Sequence, residues 1–229
     1  MKRAGIMIAA AVRRLRGNTS GLALIEFAYG LPFFLLFTLT GAELTHYITT
    51  RMRVSQLALH IADNAARIGA GTQLQAKRIT EQDINDLLIG AQLQSGGLNL
   101  SQNGRVILSS LEDDPAHTGK YRIRWQRCYG SKVSHESTYG AAGADNLAGM
   151  GPAGRQAVVA DSNATMFVEL YFEYTPLITT GIHPDPNMVE IASMMVRDRR
   201  DLTAVYNTEN APQALCTANS GWPTTGTVN

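Results

Sequence analysis

The run from Leu22 to Ala42, LALIEFAYGLPFFLLFTLTGA, is 21 residues of apolar and small side chains interrupted by one charge, Glu26. As a helix it would span about 31 Å, close to the roughly 30 Å hydrocarbon core of a bilayer. Beyond Ala42 the pattern turns amphipathic. Val54, Leu57, Ile61, Ala65 and Ile68 recur every three or four residues, while Arg53, Gln56, His60, Asp63 and Arg67 hold the opposite face. The spacing predicts one helix from Leu22 to Ile68, half apolar all round and half one-sided, stopped at Gly69-Ala70-Gly71. Thr80 with Asp83 three residues on is a capping pattern. It opens a second helix through Ile84, Leu87, Leu88 and Leu93 to Ser95-Gly96-Gly97.

Period-two signals then take over. Val106 and Leu108 mark a short strand, and Tyr121, Ile123 and Trp125 alternate with Lys120, Arg122, Arg124 and Gln126 in another that ends near Cys128. The Asp113-Asp114-Pro115 turn and Gly119 make the two a hairpin. A third strand carries Val168, Leu170, Phe172 and Tyr174 and ends at Pro176. A fourth carries Val189, Ile191 and Met195, and the following Arg197-Asp198-Arg199-Arg200 reads as a solvated strand end. Residues 130–163 are rich in Gly, Ala, Ser and Asn and read as a long surface loop. The chain divides into a basic leader (1–21), the apolar half of the first helix (22–42), its amphipathic half with the second helix (43–98), a sheet region (99–208) and a polar tail (209–229). The expected class is α+β, one long helix against a small antiparallel sheet.

Composition narrows the function classes. The 229 residues carry a formal charge of +1, and charged residues make up 17%, against about 25% in an average soluble protein. A nucleic-acid partner is not expected, since such proteins show a basic excess. Lys2, Arg3, Arg13, Arg14 and Arg16 precede Gly21 with no acid among them, and the remaining 208 residues hold 15 basic and 19 acidic side chains. Under the positive-inside rule this step puts the amino terminus in the cytoplasm and everything after about residue 43 outside it. There Cys128 and Cys216 would meet an oxidising compartment. They are a candidate disulfide, the other reading being two buried thiols. His46, His60, His117, His135 and His183 show no metal-ligand spacing. There is no nucleophile elbow, and the Gly-rich stretch lacks the Gly-Lys-Ser/Thr ending of a phosphate loop. No catalytic residue, metal site or cofactor is expected.

Glu26 needs a reason, because a carboxylate in hydrocarbon is costly unless neutralised or paired. Near the cytoplasmic end it could snorkel or take a proton. The residues before it offer a sharper reading. Arg13, Arg14 and Arg16 precede Gly21, four uncharged residues follow, then Glu26-Phe27-Ala28, then Pro32 inside the apolar run. This order resembles the cleavage region of type IV prepilins, and more closely the TadE-like minor pseudopilins of tight-adherence (Tad, or Flp-type) pili. The resemblance covers about residues 13 to 43. An Asn18-Thr19-Ser20 spacer follows the arginines, and Leu22 stands where the family commonly has a small residue.

The resemblance implies a pilin-like fold and cutting between Gly21 and Leu22 by a membrane prepilin peptidase on the cytoplasmic face, with the apolar helix retained. It also implies that Glu26, beside Phe27, recruits the subunit by meeting the amino terminus of a neighbour. The partners so implied are the peptidase, other pilins or pseudopilins, the inner-membrane assembly platform and the lipid bilayer. Pro32 either kinks the helix or marks a turn that extends in a filament. Two other readings stand beside this one: an uncleaved, signal-anchored periplasmic binding or interaction domain, and a secreted protein cut near Thr40-Gly41-Ala42.

Overall fold

A computed structural model describes residues 12–14, 17, 20–72, 75–160, 163–178 and 184–217. Most of the basic leader, His183 and the tail from 218 onward lie outside the described residues. The order of elements is α1 (Ser20–Arg67), β1 (Ala70–Thr72), β2 (Gln75–Arg78), α2 (Glu81–Ser95), a 3-10 turn (Gly96–Leu98), the one-turn α3 (Leu100–Asn103), β3 (Gly104–Asp113), β4 (Tyr121–Tyr129), β5 (Ala164–Glu173) and β6 (Asn187–Met195). The protein is α+β, with a long amino-terminal helix packed on antiparallel sheet, as the residue pattern predicts. Two compact units meet between His46 and Tyr47.

The first unit contains the apolar half of α1, whose side chains from Gly21 through Ala42 are exposed apart from half-buried Leu31. In the second unit the rest of α1 buries the predicted stripe. Val54, Leu57, Ile61 and Ala65 join Ala58 and Ala62 against Ile84 and Leu88 of α2 and the inner face of a four-stranded sheet. That sheet has the order β4-β3-β5-β6, antiparallel throughout. Its inner face is supplied by Val106 and Leu108 of β3, by Met166, Val168, Leu170 and Phe172 of β5, and by Met188 of β6. Two contacts at the rim tie α1 to the sheet side. Arg51 Nε donates to Glu190 at 2.8 Å, and Tyr47 packs edge-on to Tyr174 at 5.1 Å.

Strand order dictates the path of residues 130–163. Because β4 is an edge and β5 lies on the far side of β3, the connection must cross the sheet. It covers the outer face, where buried Met150 and Val159 pack with Leu111, Ile123 and Phe167 into a second apolar cluster. The expected surface loop is therefore a covering layer. It is pinned by Glu169, a 1%-exposed carboxylate on β5. Glu169 accepts from the Thr138 backbone N–H at 3.0 Å, from Ser137 Oγ at 3.2 Å and from Thr138 Oγ1, with His135 Nε2 at 3.2 Å. Gly130 begins the crossing at φ +106°; a Cβ there would stand 2.2 Å from the Gly104 carbonyl oxygen.

The predicted helix stop holds, since α1 ends at Arg67 ahead of Gly69, and Ala70–Thr72 then pair with β2 in a small hairpin the residue pattern does not signal. Two further sequence expectations are corrected. Tyr121, Ile123 and Trp125 do not share a face, because the register slips by one residue between Ser110 and Leu111, leaving Arg124 as the extra residue of β4. Tyr121 and Ile123 consequently join the outer cluster and Trp125 the inner one. Arg200 is not solvated: it is 8% exposed.

Candidate functional site

Gly21 and Leu22 lie in the first turn of α1, and Glu26 follows Leu22 by four residues, about 6 Å further along the axis. The positions one turn away on the same helix face are Leu22, Ala23, Tyr29 and Gly30, none of them basic. Glu26 thus has no cation to pair with from its own helix. Phe27 beside it is 63% exposed. Pro32 sits within the continuous helix, and its missing N–H leaves the Ala28 carbonyl without its usual donor.

Eleven large apolar side chains between Leu22 and Leu39 are exposed. At roughly 1.5–3 kcal/mol for each side chain taken out of water, leaving them solvated would forgo on the order of 20 kcal/mol. The helix is a candidate membrane span or signal anchor, and its most apolar 18-residue stretch contains no residue buried by the protein itself. Two hydroxyls also suit hydrocarbon. Thr38 Oγ1 donates to the Phe34 carbonyl and Thr45 Oγ1 to the Gly41 carbonyl, each at 2.8 Å, so neither donor is left open.

In the second unit, Thr80 caps α2 reciprocally. The Asp83 N–H donates to Thr80 Oγ1 at 3.1 Å, and the Thr80 N–H to Asp83 Oδ2 at 2.9 Å. This cap fixes Glu81, fully buried, opposite Arg127 of β4, whose Nε donates to it at 2.8 Å and whose Nη2 makes a second, parallel bond. Cys128 and Cys216 are joined in a disulfide. Around it, the Cys128 N–H donates to the Ala214 carbonyl at 2.7 Å, Asn85 Nδ2 to the Pro212 carbonyl at 2.9 Å and Arg105 Nη2 to the Cys216 carbonyl at 3.3 Å. Burial pulls the Arg105 pKa down. The tail is therefore packed as far as Cys216.

No family model, no characterised protein and no solved structure matches this chain.

Among the described residues, no group of three or more His, Cys, Asp or Glu side chains is placed to hold a metal. His117 Nδ1 lies 2.7 Å from Asp114 Oδ2, and His135 stacks on Tyr171 at 4.5 Å. Sequence reasoning missed Glu81, Arg127 and Arg200. One signal was available for Arg127, which sits two residues beyond Trp125, in phase with a residue that turns inward. Nothing local marked Arg200 among its charged neighbours.

Proposed function

We propose that this chain is a minor pseudopilin of the TadE-like kind. It is inserted in the inner membrane by the apolar half of α1, with the amino terminus cytoplasmic and the body periplasmic. A prepilin peptidase cuts after Gly21, and the mature subunit acts in assembly of a Tad-type pilus or related secretion filament. No catalysis is assigned to it. The observation that carries this reading is Glu26, a lone carboxylate five residues beyond a glycine, on an exposed apolar helix that gives it no cation. In low dielectric such a charge calls for an opposite charge from outside its own helix. Cutting after Gly21 would create a positive amino group, and a neighbouring subunit bearing it satisfies Glu26 only in one axial register.

The uncleaved anchored domain is the competing reading, and a glutamate at this spacing serves no purpose in it. Replacing Glu26 tests the difference. The account expects Glu26→Ala to sediment with membranes at the wild-type level but to fall about tenfold or more in the sheared pilus fraction. Wild-type incorporation of the variant would overturn the recruitment role.

A further inference from the structure

The four-stranded sheet has two edges, and they differ. Along β4 the edge is closed: Tyr121 exchanges both backbone bonds with Leu147 at 2.9 and 2.8 Å, Ile123 donates to the Ala144 carbonyl and accepts from the Gly143 N–H, each at 2.8 Å, and the Cys128 N–H reaches the Ala214 carbonyl. Along β6 it is open. β6 pairs with β5 alone, in one unbroken register from Asn187 opposite Glu173 to Met195 opposite Thr165. In that register the Tyr174 N–H donates to the Pro186 carbonyl at 2.7 Å and the Val196 N–H to the Ala164 carbonyl at 3.0 Å, so the even-numbered residues bond to β5. Val189, Ile191, Ser193 and Met195 therefore turn N–H and C=O away from the sheet. Among the described residues no group bonds these four on that side.

Proteins usually blunt such an edge with lysine, proline or a bulge. β6, NMVEIASMM, has none of these, and its one charge, Glu190, is held by Arg51 Nε at 2.8 Å. Val189 and Met195 are 42% and 51% exposed on the outer face, with Ile191 between them half-buried against the outer cluster. Charge marks the two ends. Asp185, two residues before β6, accepts from the Asn187 N–H at 2.9 Å, and Arg197 stands two residues after β6. Both are exposed, and among the described residues neither has an opposite charge within ion-pair distance, whereas the nearby Glu173 and Asp198 are held by Lys132 and Lys77.

We propose that the free edge of β6 takes up an extended segment of another polypeptide as a further antiparallel strand, apolar at alternate positions, acidic near its amino end and basic near its carboxyl end. Only an extended backbone matches a row of N–H and C=O groups repeating about every 7 Å. Running antiparallel, the segment sets its amino end beside Arg197 and its carboxyl end beside Asp185, and its apolar side chains cover Val189, Ile191 and Met195. A second copy of β6 centred on Ile191 would offer the same charges in the same order. However, α1 runs in the direction of β6, since Arg51 meets Glu190 and Ala65 meets Arg200. Antiparallel pairing of two copies would point their α1 helices in opposite directions, which one membrane does not allow. The choice of another chain over a second copy thus rests on the membrane reading, while the open edge itself does not.

Fluorescence polarisation with the full chain in zwitterionic detergent tests the proposal, using the dye-labelled, amidated peptide ESVSVSVSVSVSK as probe. Its Glu and Lys fall opposite Arg197 and Asp185 when its central Val faces Ile191. Binding should saturate, should be lost when the valine amides, which face β6, are N-methylated, and should persist when the serine amides, which face away, are N-methylated instead. Ser193→Pro removes an outward N–H without touching the ladder to β5, and should abolish binding with the urea midpoint unchanged. Arg197→Glu should weaken binding of this peptide about threefold, the scale of one exposed ion pair, and strengthen that of the charge-exchanged KSVSVSVSVSVSE. No saturable binding, binding indifferent to valine N-methylation, or wild-type binding by both variants would overturn the proposal. A wild-type dimer in detergent that Ser193→Pro dissociates would make a second copy the occupant and overturn the assignment to another chain.

Discussion

Arg127 and Glu81 stand 46 positions apart in sequence and meet side by side with almost no exposure. Truncating one partner of such a pair strands a charge where water cannot reach it, which costs about 3–5 kcal/mol. Arg127→Ala and Glu81→Ala should each lower the urea midpoint accordingly in equilibrium unfolding of the full chain in detergent, and the double variant should cost less than the two singles added. Acid should act through a different pair. Asp201, bonded by Thr203 and Tyr206, and Asp114, bonded by the Asn146 N–H and His117, both have pKa values lowered to about 2. A depressed carboxylate stabilises the fold fully above its unfolded pKa of about 4 and loses that effect as pH falls toward 2. Stability should therefore drop across that window, and Asp114→Asn with Asp201→Asn should flatten the slope of the pH titration. At the same scale the sequence is least informative. Arg200 has three charged residues immediately before it, and nothing in that run tells a buried guanidinium from an exposed one, because its partners are carbonyls of Ala65 and Ile68, 135 and 132 positions away.

At the scale of elements, α1 and α2 were legible because their signals are local: a stripe of period 3.6 and a reciprocal cap. The β1–β2 hairpin was not, since strands of three and four residues, AGT and QAKR, bury little and carry no alternation. Residues 130–163 misled by composition. Met150 and Val159 are spaced by no regular period, so their burial follows from the strand order that forces the crossing. The bulge at Arg124 reverses the parity of β4, which a strict alternation cannot foresee. Pro32 gives a prediction for α1: Pro32→Ala restores a donor to the Ala28 carbonyl and should slow amide exchange around that turn, with membrane insertion unchanged. The disulfide gives another. It closes a loop of 88 residues, and constraining so long a loop is worth about 4–5 kcal/mol. Cys216→Ser should lower the urea midpoint to that of the reduced wild-type chain, and added reductant should then have no further effect on the variant.

For the whole molecule, charge and hydropathy bear on where each part resides. The basic excess stands ahead of an exposed apolar helix, and the second unit has its own core, its own disulfide and a net acidic sequence. These features support the proposed placement, a body outside the cytoplasm carried on one helix. The proposed pilus role turns on whether that helix is kept after a cut on its cytoplasmic side. A secretory signal is cut beyond its apolar core and discards it, and an anchor is not cut at all. The N-terminal sequence and intact mass of the chain purified from membranes, with and without a cognate prepilin peptidase, separate these fates directly. The account predicts a start at Leu22 only when the peptidase is present, with the apolar segment retained; an intact Met1 start in both samples, or a start near Glu43, would contradict it.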